Sequence, residues 1–151
     1  MVIGACYAMH RDAYHRLGGF SPHFRVWGID EQDNSARAWM AGMRVACATH
    51  AKVGHFSRAA FPYPVQFEHL EFNQAVMMRC LFDRATLDAL EPIFQPRPAQ
   101  VEEWLSATDL TAWRKAVQRR RKIADAQFFT RFVPELARPA VKRRAGKARS
   151  A

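Results

Sequence analysis

The 151-residue chain predicts an α/β fold, a short mixed sheet with flanking helices, extended at its C-terminal end by basic helices. Three observations carry that expectation. Residues 2–9 and 44–49 are short, largely apolar runs without helical period, as buried strands require. Between and after them lie segments with apolar residues at three- and four-residue spacing, closed by glycine. Finally, the positive charge gathers at one end: residues 99–151 hold 13 of the 23 Lys and Arg but only 5 of the 14 Asp and Glu.

Taken in order, residues 2–9 (VIGACYAM) read as the first strand. Residues 10–17 give two helical turns stopped by Gly18-Gly19, a left-handed C-terminal exit. Ser21-Pro22 opens a turn. Residues 30–41 form a helix with Ala36, Trp39, Met40 and Met43 on its apolar side, ended by Gly42. Residues 44–49 return as a strand. A loop with Phe61-Pro62-Tyr63-Pro64 follows, then a helix over 67–80 and a shorter one over 86–90. Three prolines within 92–98 mark a linker, because each fixes φ and removes a backbone donor. Val101, Trp104, Leu105, Leu110, Trp113 and Val117 then predict one or two amphipathic helices within a helical extension over 99–138. Residues 139–151 are basic, poor in large apolar groups, and read as a disordered tail.

A hydrophobic content of 49% with 12% aromatic residues supports a core, so wholesale disorder is excluded. No apolar run approaches the roughly 20 residues of a membrane helix. Cys6, Cys47 and Cys80 are odd in number and widely spaced, which reads as buried free thiols in a reducing compartment. The location expected from this is cytoplasmic, with room for peripheral contact at the inner membrane face. Nucleic acid is not the expected partner, since Arg119-Arg120-Arg121-Lys122 fits a solvated helix face.

The chemistry-bearing residues concentrate in Trp27-Gly28-Ile29-Asp30-Glu31-Gln32-Asp33 and Val53-Gly54-His55-Phe56-Ser57-Arg58. Asp30, Glu31 and Asp33 fall in the first turn of a helix, where the positive dipole end favours ionised carboxylates. They fit two readings: caps for their own helix, or groups that take a proton from, or hold, a hydroxyl-bearing substrate. Trp27 suits either core packing or stacking on the apolar face of a sugar. His55 is either a surface imidazole or a ligand for a divalent cation. Arg58 offers a guanidinium fork for a phosphate or for the loop beside it.

These two motifs, with Leu17-Gly18-Gly19-Phe20, resemble GT-A-type glycosyltransferases, notably the family-2-like enzymes and the polypeptide N-acetylgalactosaminyltransferases. The likeness runs from about residue 2 to about residue 90. The resemblance implies an incomplete GT-A fold in which residues 1–91 are the acceptor- and metal-side half of a catalytic domain. In the family-2-like enzymes the Trp-Gly-x-acid-acid-x-acid run lies beside the acceptor and supplies the base. Glu31 and Asp30 then become the catalytic carboxylates, and Trp27, Gly28, Asp33 and Arg58 the substrate-binding residues. Glu31 stands where the family pattern usually has Asp, which lengthens the reach by one methylene. His55 falls on the His that completes a metal site begun by an upstream Asp-x-His, a motif this chain lacks.

The resemblance therefore implies transfer of a hexosyl or N-acetylhexosaminyl group from a nucleotide-sugar donor to a glycan or lipid-linked acceptor. A divalent metal, manganese or magnesium, is expected only where a partner chain or further segment supplies the donor-binding half. Alone, a half sheet with an unpaired edge predicts marginal stability and no activity. The competing expectation is a non-enzymatic binding module whose basic tail contacts anionic surfaces.

Overall fold

The computed structural model describes residues 6–56, 61 and 64–135, and among them every regular element is helical. Seven α-helices follow one another: α1 (Arg11–Leu17), α2 (Asp30–Met40), α3 (Phe67–Leu81), α4 (Arg84–Leu90), α5 (Ala99–Ala107), α6 (Thr111–Arg120) and α7 (Asp125–Phe132). A 3₁₀ turn, Glu91–Phe94, joins α4 to the prolines.

The expectation of an α/β fold with a short mixed sheet is overturned, because no strand forms among the described residues. Residues 44–49 run as coil with Arg44, Ala46, Cys47, Ala48 and Thr49 exposed. Only Val45, with Met43, packs inward, against Leu17, Ala38 and Ala41. A strand exists by pairing its N–H and C=O groups with a neighbour, and short apolar runs say nothing about whether a neighbour is present. Residues 6–9 are coil as well, and the rest of that expected strand lies outside the described residues. With no sheet among the described residues, the argument for an unpaired edge also falls. No helix among the described residues is long and apolar enough to cross a membrane, which bears on spanning and not on compartment.

The helices form where local signals ask for them. The His10 imidazole accepts from Asp12 N–H at 3.2 Å to start α1. Gly18, at φ 85°, ends it, and Gly18 and Gly19 N–H reach back to the carbonyls of His15 and Tyr14. Asp83 caps α4 by accepting from Thr86 N–H at 2.8 Å. The α3 C-terminus is closed from elsewhere: Gln118 Nε2 donates to the carbonyls of Cys80 and Leu81 at 2.9 and 2.8 Å.

α3 is the axis of the molecule. Its Phe72, Ala75, Val76, Met78, Cys80 and Leu81 are buried, and α2, α5 and α6 pack around them. Met40 comes from α2, Val101 and Leu105 from α5, Val117 from α6 and Phe129 from α7, so the helices beyond the prolines supply much of one continuous core. Burying a side chain such as Phe72 contributes about 2 kcal/mol. α7 was not foreseen as a separate helix; Phe128, Phe129 and Phe132 hold it against Trp39 and Phe82. The exposed positions differ from expectation in two places. Cys6 and Cys47, read as buried thiols, are exposed, and only Cys80 is buried.

Candidate functional site

The loop before α2 has a backbone that few residues tolerate. Val26, Gly28 and Ile29 all take positive φ, at 39°, 87° and 72°. For β-branched Val26 and Ile29 this is strained, on the order of 1–3 kcal/mol each, so other interactions must hold the loop. The holder is Asn73, wholly buried on α3. Its Oδ1 accepts from Arg25 N–H at 2.7 Å, and its Nδ2 donates to the carbonyls of Arg25, Trp27 and Gly28 at 2.8, 3.0 and 3.0 Å. Gly28 also sits against Leu70, whose Cδ1 would lie 3.0 Å from any Cβ placed there.

Arg25 adds a second clamp. Its guanidinium lies 4.2 Å from the Trp104 ring centre and 4.9 Å from that of Phe72. The His69 imidazole stacks on Trp104 at 5.2 Å with an interplanar angle of 5°. The loop is thus tied to α3 and α5 by charge over aromatic faces as well as by the amide of Asn73.

Trp27 is half-buried, and its ring meets Phe61 and Phe67, each at 6.2 Å between centres. Phe61 and Phe67 are themselves more than half exposed, so these three rings form an aromatic surface open to solvent. Such a surface covers the C–H face of a sugar as readily as it covers a protein segment.

The three carboxylates of the motif separate into two kinds. Asp33 is buried and faces inward: its Oδ2 accepts from Arg37 Nε at 2.7 Å. Arg37 is equally buried, and its other nitrogens donate to the carbonyls of Leu17 and Gly19 at 2.9 and 2.8 Å and to Asn34 Oδ1 at 2.9 Å. The pair therefore locks the Leu17-Gly18-Gly19 exit of α1 onto α2. Burial pushes the Asp33 carboxyl up from its ordinary value, while Arg37 pulls it back.

Asp30 and Glu31 are half-buried at the start of α2, and among the described residues no hydrogen bond or ion pair engages their carboxylates. Both stand close enough to Tyr7 to act on its phenol, whose pKa is raised first by burial and then by these two charges. Two anions at a helix N-terminus, near a phenol and within four residues of Trp27, can accept protons or hydrogen bonds from a polyhydroxylated ligand.

His55 lies in a coil whose residues 46–56 are all exposed. Arg58 lies outside the described residues. Among the described residues no three His, Cys, Asp or Glu side chains gather into a metal centre. Tyr7 and Asn73 were missed by sequence reasoning. Tyr7 was absorbed into an expected strand, and Asn73 sits within an apolar stripe where its polarity was the only signal.

Residues 1–60 match the family described as the N-terminal domain of galactosyltransferase. Polypeptide N-acetylgalactosaminyltransferase 10 of Mus musculus is 30% identical over 116 residues, 76% of this chain and 18% of that protein. Polypeptide N-acetylgalactosaminyltransferase 3 of Drosophila melanogaster is 33% identical over 62 residues, 41% of this chain and 9% of its own. Polypeptide N-acetylgalactosaminyltransferase 5 of Rattus norvegicus is 20% identical over 143 residues, 94% of this chain and 15% of its own. The chain thus spans less than a fifth of the length of these relatives, and no solved structure matches it. On these matches the chain carries a glycosyltransferase-related region, similar to both galactosyltransferases and polypeptide N-acetylgalactosaminyltransferases.

Proposed function

We propose that this chain binds the acceptor in a glycosyl-transfer reaction, in which a hexosyl or N-acetylhexosaminyl group passes from a nucleotide sugar to a hydroxyl of a glycan or lipid-linked acceptor. The observation that carries the reading is the division of labour in the acidic motif. Asp33 is consumed by Arg37, whereas the carboxylates of Asp30 and Glu31, three and four residues after Trp27, have no hydrogen-bond partner among the described residues. Glu31 takes the proton from the acceptor hydroxyl and Asp30 holds a neighbouring hydroxyl. Trp27 stacks on the acceptor ring and Gly28 leaves room for the loop against Leu70. Asp33, expected at the substrate, acts instead through Arg37 to set the position of α2, and Arg58 is assigned to phosphate.

His55 would supply one ligand to a manganese or magnesium ion. Such an ion would neutralise charge on the departing nucleotide diphosphate. No step of the acceptor chemistry is routed through it.

The test is calorimetric titration of the full chain with hexosyl and N-acetylhexosaminyl acceptors, run beside Glu31→Gln and Asp30→Asn. Binding of at least one acceptor in the parent that weakens about tenfold in the variants is the expected result. Binding that is unchanged in both variants, or absent with every acceptor, overturns the assignment.

A further inference from the structure

A second cleft, away from the acidic motif, takes six of its ten lining residues from Arg and Lys. It has a volume of about 630 Å³ and is formed where the C-terminal ends of α1, α2 and α6 meet. Arg16, Arg44, Arg119, Arg120, Arg121 and Lys122 line it, and no Asp or Glu does. The wall is held shut by backbone: Lys122 and Ile123 N–H both donate to the carbonyl of Met40, at 2.8 and 3.0 Å.

Two of the six cations are fixed in place. Arg120 donates from Nε to the carbonyl of Arg16 at 2.9 Å and from Nη1 to that of Ala116 at 2.6 Å, lying over the Cβ-less face of Gly18. These partners are neutral, so they orient the guanidinium without cancelling its charge. Arg121 is the one cation with a counter-charge, Asp125, and it also donates to the carbonyl of Leu81 at 2.7 Å. Arg16, Arg44, Arg119 and Lys122 are exposed around the rim, and among the described residues no carboxylate pairs with any of them.

Holding five uncompensated cations around one concavity costs self-repulsion, which a bound anion removes. The volume falls in the range of small-ligand sites. Guanidinium groups match phosphate oxygens in pairs, and a single phosphate would leave most of this charge unanswered. We propose that this cleft binds a small molecule carrying two or more phosphate groups. The assignment stands apart from the acceptor reading, because it shares no residue with Trp27, Asp30 or Glu31.

The test is calorimetric titration of the full chain with inorganic pyrophosphate at constant ionic strength, beside the double variant Arg119→Gln/Lys122→Gln. Arg84→Gln, in the cleft that Asp88 and Glu91 also line, is the control. The rim side chains are exposed, so circular dichroism of the double variant should match the parent. Binding weakened roughly tenfold or more in the double variant and unchanged in the control is expected. Sedimentation with phosphatidylcholine vesicles containing cardiolipin, whose headgroup carries two phosphates, separates the sources. Vesicle binding that needs the same two residues and is competed by pyrophosphate points to a lipid headgroup, and pyrophosphate binding without vesicle binding points to a soluble phosphate compound. Pyrophosphate binding that is absent, or equal in parent and double variant, overturns the proposal.

Discussion

Asn73 donates to the carbonyl of Trp27 across 46 residues of chain, at 3.0 Å, and the same buried amide also binds Arg25 and Gly28. One side chain on α3 thereby supports a loop whose φ values at Val26 and Ile29 are unfavourable by themselves. Asn73→Leu keeps much of the volume but leaves one N–H and three carbonyls without their partner. The expected cost is about 3 kcal/mol in urea unfolding, with each buried unsatisfied group worth about 1–3 kcal/mol and some regaining water. A midpoint unchanged from the parent would show that the loop is held by something else.

The two helix-flanking glycines separate crowding from backbone strain. Gly28 and Gly42 both take positive φ, at 87° and 76°, so alanine at either costs about 1 kcal/mol. At Gly28 the new Cβ also meets Leu70 Cδ1 at 3.0 Å, whereas at Gly42 the nearest atom is the flexible Lys122 side chain at 3.5 Å. Gly28→Ala should therefore lower the melting temperature more than Gly42→Ala does. Equal losses would mean that Leu70 yields freely.

Acid should weaken the junction between α4 and α5. Burial alone would raise the Glu91 carboxyl, but Arg97 at 2.8 Å and Arg79 at 3.2 Å outweigh it and hold the pKa below its ordinary value. A carboxylate with a depressed folded pKa gives stability that is present above its unfolded value, about 4.3, and is lost as pH falls through the folded one. Glu91→Gln should thus be less stable than the parent near neutrality, with the gap closing in acid. Because Glu91 is partly exposed while Arg97 is buried, the neutral-pH gap is about 1–2 kcal/mol. A gap independent of pH would remove the ion pair as its source.

The three thiols should react at two rates. Cys6 and Cys47 are exposed, whereas Cys80 is buried on α3 with its pKa pushed up to about 12, chiefly by burial. Titration of the folded chain with a chromogenic disulfide should find two prompt thiols, the third appearing only with denaturant. Three prompt thiols would mean that the end of α3 opens readily.

α1 to α4 were legible in the sequence because their signals are local. Gly18 after α1, the Asp30-Glu31 turn opening α2, and the stripe of α3 each lie within the element they define. The sheet expected from residues 44–49 failed for the opposite reason, since pairing depends on a neighbour that no short window reveals. The acidic motif was found, yet nothing in its spacing distinguished Asp33 from Asp30. That distinction comes from Arg37, which faces Asp33 one turn later and reaches back to Leu17 and Gly19. Asn73 was hidden for the same reason as the sheet: its partners lie 45 to 48 residues away.

The central claim is that Trp27 and Glu31 meet an acceptor sugar while Asp33 serves only the fold. Saturation-transfer NMR of the full chain with methyl glycosides of hexoses and N-acetylhexosamines tests it directly, with Trp27→Ala, Glu31→Gln and Asp33→Asn compared at equal folded fraction. The account predicts transfer to at least one glycoside in the parent and in folded Asp33→Asn, and its loss in Trp27→Ala and Glu31→Gln. Transfer that survives both of those substitutions, or that no glycoside shows in the parent, would contradict it.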